Sequence, residues 1–136
     1  QAEIDAAEIG TLHTIVPIQF KRNANNTVDA AMALTTTGMV GMGTSADDGY
    51  GTPSSTIVAA SLGQAVQKYG RTIGLTAGTV VAINATLYVG YDSGVTRFVN
   101  QIEISDGSFS AGGDSGSLIV TNDASNNPVA LLFAGG

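Results

Sequence analysis

The chain has 136 residues, 43% of them hydrophobic and 12% charged, with 11 acidic against 5 basic side chains and a formal net charge of −6. That apolar content suffices for one packed domain or part of a larger one, and five scattered cations make no phosphate-binding stripe, so wholesale disorder and a nucleic-acid partner are both excluded. Cysteine is absent, which removes disulfides, thiolate metal sites and a cysteine nucleophile, while no run approaches the roughly 18 apolar residues of a membrane helix, so no membrane partner is expected.

The first residues, QAEIDAAEIG, lack the basic and apolar regions of a signal peptide. One removed earlier would leave a secreted or extracellular location open. Glu3, Asp5 and Glu8 read as a solvated terminus. Turn residues then recur between short Thr-, Val- and Ile-rich runs, and long helical patterns are missing, which predicts an all-β fold. The predicted strands are Leu12–Phe20, Ala30–Leu34, Ala65–Tyr69, Thr79–Val89, Val95–Ile104, Ser117–Thr121 and Val129–Ala134. In the first of these, alternation places His13, Ile15 and Pro17 on one face and Leu12, Thr14, Val16 and Ile18 on the other. Residues 80–88 and 129–134 are mostly apolar and are expected to pack on both faces. KRNANNTV (21–28) and NDASNNP (122–128) read as polar turns rich in Asn, which tolerates left-handed backbone. Gly38–Ser55 reads as a linker or long surface loop, with Asp47 and Asp48 solvated rather than half of a cation site. Met32, Met39 and Met42 read as packing residues.

The stretch FSAGGDSGSLIV (109–120) is the chemically informative one. Glycine is costly to order, so a run of it before an apolar strand needs a reason. One reason is a tight turn. The other is a loop that presents the Ser115 hydroxyl together with the backbone N–H groups of Gly113 and Ser115. A serine becomes a nucleophile when a base takes its proton and fixed donors stabilise the oxyanion that forms. Asp29, alone among small apolar residues, is costly to bury without a donor partner. No cofactor or metal is implied.

Gly113-Asp114-Ser115-Gly116-Ser117, the segment KYGRTIGLTAGTV (68–80), Val28-Asp29-Ala30-Ala31 and VALLFAG (129–135) together resemble the chymotrypsin-like (trypsin-fold) serine proteases, their bacterial branch most closely. The resemblance implies the second barrel of a double β-barrel plus the last strands of the first. Residues 1–37 would be the first-barrel remnant, 38–55 the linker and 56–136 the second barrel. It also implies a serine endopeptidase acting on a peptide or protein. Ser115 would be the nucleophile, Asp29 would orient a histidine, and the Gly113 and Ser115 N–H groups would form the oxyanion hole. Phe133, Ala134 and Gly135 would pair with the substrate backbone. Phe109, Ser110 and Gly135 would line the primary specificity pocket, where an aromatic in place of an acid favours a small or apolar side chain over Lys or Arg. Asp114 would accept backbone N–H bonds in a structural role.

The family order is His, Asp, Ser, yet only 28 residues precede Asp29, and the one histidine, His13, reads as an ordinary strand residue. The expectation is therefore a fragment whose histidine comes from a missing N-terminal half, inactive alone, with open strand edges that associate with that half or with another copy. Two alternatives remain: a catalytically inactive domain of the same fold that holds an extended peptide, and a structural β-module.

Overall fold

Among the described residues, seven strands form two antiparallel sheets: β1 (Thr11–Ile15), β2 (Ala31–Leu34), β3 (Ala65–Gly70), β4 (Gly74–Tyr91), β5 (Gly94–Ile104), β6 (Leu118–Thr121) and β7 (Pro128–Leu131). β1 pairs with β2 alone, while the other five curl into a half-barrel in the order β5-β4-β3-β6-β7. The computed structural model describes residues 8–105 and 107–135, and no helix occurs among them. Each predicted strand is present, and the all-β expectation holds. Glu3 and Asp5 lie outside the described residues.

The core lies between β3, β4 and β6, where Val66, Val80, Phe109 and Ile119 are buried and Ile102, Ile104, Val129, Ala130 and Leu132 pack around them. β3 shows the pattern most plainly: AVQKYG alternates so that Val66, Lys68 and Gly70 point inward. β6 is flanked by β3 and β7, and Ile119 and Val120 are buried on opposite faces.

β4 and β5 form a long hairpin whose inward face changes phase midway. Asn84 (φ 53°) and Asn100 (φ 57°) adopt left-handed backbone, and the pairing register slips beside each. An extra residue in one strand re-aims every side chain beyond it. Thr76, Gly78 and Val80 therefore face in before Asn84, and Ala85, Leu87, Val89 and Tyr91 after it. The far end of the hairpin thereby turns toward residues 19–29. Asn26 is the joint there: its side-chain amide donates to Gln19 O (3.0 Å), Thr96 Oγ1 (3.0 Å) and Arg97 O (3.1 Å). Arg97 in turn donates to Ala24 O (2.8 Å) and Asn25 Oδ1 (2.7 Å).

Several expectations are corrected. β1 ends at Ile15 rather than Phe20, and β4 begins at Gly74, so the β3–β4 turn is shorter than expected. Strict alternation fails at His13, where the β1–β2 register skips a residue between Leu12 and Thr14. The stretches 80–88 and 129–134 are not packed on both faces: Val81, Ile83, Tyr88 and Leu131 are exposed, because nothing within the described residues covers the outer side of the curled sheet. The three methionines, Met32 on β2 and Met39 and Met42 in the loop that follows, are exposed as well. KRNANNTV is a turn only in part, since Ala24 and Asn26 are buried. Asn126 (φ 49°) does take the left-handed conformation expected of the 122–128 turn.

Phe98 is fully buried between Tyr91 and Phe133, with ring centroids 6.5 and 4.7 Å away. Phe98→Ala is expected to destabilise the chain by about 3–5 kcal/mol, the usual cost of a large cavity in a packed core. A urea unfolding curve measures it.

Candidate functional site

Between Phe109 and Leu118 the chain runs over the end of β3 as a glycine-rich loop. Gly113 (φ 101°) and Gly116 (φ 90°) occupy conformations that L side chains rarely adopt. At Gly113 a Cβ would also meet Thr72 Oγ1 at 2.5 Å. The hydroxyl of Thr72 donates to Gly112 O at 2.8 Å.

Asp114 turns inward from this loop and is buried. Its Oδ1 accepts the N–H groups of Thr72 (2.6 Å) and Ile73 (3.4 Å), and its Oδ2 accepts that of Ala111 (3.1 Å). Lys68, equally buried, lies 3.2 Å from Oδ2 and donates its remaining reach to Gly74 O at 3.1 Å. Burial by itself would push the carboxyl up; the backbone N–H groups of Thr72 and Ala111, with Lys68 and Ile73, outweigh it and hold the pKa at about 2. Gly70 makes the pocket possible, because a Cβ there would strike the Asp114 carboxylate. The structural role expected of Asp114 is thus given its partners.

With Asp114 drawn in, Ser115 is left exposed beside it. Its hydroxyl donates to Phe133 O at 3.4 Å, while Gly116 N–H donates to Leu132 O (2.7 Å) and Leu132 N–H to Ser117 O (3.0 Å). The Asp114 N–H is used within the turn, donating to Ala111 O at 3.0 Å. The N–H groups on either side of it, at Gly113 and Ser115, donate to nothing among the described residues.

An open groove of about 830 Å³ runs from this loop toward residues 27–29. Asp29, Phe109, Ser110, Phe133, Ala134 and Gly135 all line it. Gly135 and Ser110 form close-set walls: a Cβ on Gly135 would strike the Ser110 hydroxyl. Asp29, half-buried, accepts the Tyr91 hydroxyl on Oδ2 at 2.8 Å. His13 is not brought into the groove; it lies exposed at the β1 bulge and hydrogen-bonds neither Asp29 nor Ser115. Asp48 is engaged by the Tyr69 hydroxyl at 2.9 Å, and no cluster of three metal-ligating side chains occurs among the described residues.

Sequence reasoning missed two partners. Lys68 had a signal, since it shares the inward face of β3 with Val66 and an inward lysine requires an acid. Tyr91 had none: the donor that Asp29 needed was foreseeable, but its source was 62 residues away.

The chain is similar to a chymotrypsin of Cellulomonas bogoriensis, with 24% identity over 96% of this chain, 63% of that protein and a TM-score of 0.64. It is also similar to a glutamic-acid-specific serine protease described as using a histidine triad in substrate binding, with 28% identity over 85% of this chain, 60% of that one and a TM-score of 0.59. The chain therefore spans less than two thirds of either protein. These likenesses establish the chymotrypsin-like β-barrel fold. No curated protein matches the sequence. The family model of the Nal1 C-terminal domain matches residues 18–136.

Because Asp114 is held at about 2, below its ordinary 3.8, its contribution to stability is complete above pH 4 and is lost as pH falls through about 2. The urea midpoint is expected to fall between pH 4 and 2 in the wild-type chain. Asp114→Asn should lower the midpoint at pH 7 and flatten that acid decline.

Proposed function

Because the chain belongs to the Nal1 C-terminal domain family and has the chymotrypsin-like fold, we propose that it is the nucleophile-bearing part of a serine endopeptidase of bacterial type. In this reading Ser115 attacks the scissile carbonyl and Asp29 orients an imidazole that takes the Ser115 proton. The imidazole belongs to a first-barrel segment outside these 136 residues, since His13 lies away from the groove. The Gly113 and Ser115 N–H groups stabilise the tetrahedral oxyanion. Phe133, Ala134 and Gly135 pair with the substrate as an added strand. Residues 1–37 then represent the first barrel, 38–55 the connection and 56–136 the second barrel.

The observation that carries the reading is one exposed hydroxyl with two backbone N–H groups that donate to nothing among the described residues, flanking an inward-held acid; the hydroxyl reaches Phe133 O, and Phe133 and Asp29 both line the neighbouring groove. Phe109, Ser110 and the close-set Gly135 support a preference for small or apolar side chains at the primary pocket. A binding site of three histidines, as described for the glutamic-acid-specific relative, has no counterpart in a chain whose one histidine is His13.

The exposed Leu12, Ile15, Met32 and Leu34 of β1 and β2 support a partner over that sheet, namely the remainder of the first barrel. Light scattering on the isolated chain is expected to report species heavier than a monomer, and coexpression with the preceding segment should give a defined complex.

A fluorophosphonate probe is expected to label the full-length protein that carries this chain, and Ser115→Ala should abolish labelling. Asp29→Asn should slow it by on the order of 10⁴-fold. A full-length protein that encodes no upstream histidine and resists the probe would instead support a catalytically inactive peptide-binding domain.

A further inference from the structure

Asp29 and Ser115 belong to different parts of the fold, and a row of aromatic rings joins them. Phe20 packs edge-on against Tyr91, with centroids 5.4 Å apart at 80°. Tyr91 meets Phe98 at 6.5 Å, and Phe98 meets Phe133 at 4.7 Å. The row ends where Phe133 O accepts the Ser115 hydroxyl. At its other end the Tyr91 hydroxyl reaches Asp29 Oδ2 at 2.8 Å. Oδ1 of Asp29 has no hydrogen-bond partner among the described residues.

We infer that Tyr91 is a positioning residue for the reaction proposed above: clamped between Phe20 and Phe98, it holds Oδ2 of Asp29 and so orients Oδ1 to receive an imidazole N–H. The inference rests on the serine-protease reading and adds to it a residue from the second sheet that sets the acid of the first part. The hydroxyl suits the task. Burial, then its bond to Asp29, pushes the Tyr91 pKa up to about 12, so it remains a proton donor throughout the working range. The titratable or charged groups on elements around Asp29 are His13 of β1, Lys21 and Arg22, Tyr88 of β4, Asp92, and Arg97 and Glu103 of β5; none of them pairs with or hydrogen-bonds Asp29.

Tyr91→Phe keeps the ring in the row and removes only the donor. In the full-length protein, its maximal rate of labelling by a fluorophosphonate is expected to fall about tenfold, on the scale of one hydrogen bond to a charged group. The probe's apparent affinity should stay unchanged. A carboxylate relieved of one donor stabilises an adjacent imidazolium more strongly. The acid limb of the rate profile should therefore move to higher pH in Tyr91→Phe. In an Asp29→Ala background the Tyr91→Phe effect should vanish, because alanine leaves the Tyr91 hydroxyl no acceptor and the two groups act through one bond. That comparison remains readable even if Tyr91→Phe lowers thermal stability. Unchanged labelling rate and pH profile in Tyr91→Phe, or full additivity with Asp29→Ala, overturns the role of Tyr91 while leaving the protease reading intact. A wild-type protein that never labels overturns both together.

Discussion

The buried ion pair between Lys68 and Asp114 holds the glycine-rich loop in place. Two charges removed from water are costly unless each is fully engaged. Here the carboxylate receives three backbone N–H groups as well as the ammonium, and the ammonium also reaches Gly74 O. The donors come from the β3–β4 turn and from the loop's own start, so the pair ties the loop to β3 and fixes its path. Gly70 opens the space for the acid, and left-handed glycines at 113 and 116 let the backbone turn on either side of it. With Asp114 drawn in, its two neighbours are left pointing elsewhere, which is how one exposed hydroxyl and two amides without an acceptor among the described residues arise at the same place.

The other side of the groove depends on a different device. A regular hairpin would have carried the outer part of β4 and β5 away from residues 19–29. Left-handed asparagines at 84 and 100 shift the phase of each strand, and the outer hairpin turns inward instead. Asn26 then donates to the β5 backbone at Arg97 O and Arg97 to the early segment's backbone at Ala24 O, and the aromatic row packs across the seam. Asp29 is placed by this seam rather than by its own strand, since β2 begins only at Ala31.

The two sheets differ sharply in their surroundings. The half-barrel has a core of its own around Val66, Val80, Phe109 and Ile119. The β1–β2 pair is exposed along its whole length, with Leu12, Ile15, Met32 and Leu34 uncovered. A two-stranded sheet gains little by itself in water. This contrast accords with a chain that spans less than two thirds of the chymotrypsin-like proteins it matches.

Much of this was legible in the residues. Alternating apolar patterns and turn residues placed every strand, because strand formation answers to local periodicity and local turn chemistry. The glycine-rich loop announced a special backbone, because only glycine accepts its conformations cheaply. Asp29 announced a need for a donor, because an acid among apolar side chains is costly without one. The identity of each partner was not legible. Lys68 meets Asp114, and Tyr91 meets Asp29, across long stretches of chain, and Tyr91 does so beyond the register shifts of the β4–β5 hairpin. The methionines and the outer faces of β4 and β7 were read as packed because their apolar character says what they avoid, not whether anything is present to cover them. Composition and periodicity thus determined the strands, the turns and the kinds of side chain available for chemistry, since those depend on neighbours in sequence. Which groups meet, and which faces are covered, was decided by the tertiary structure alone, because pairing and burial are contacts between residues distant along the chain.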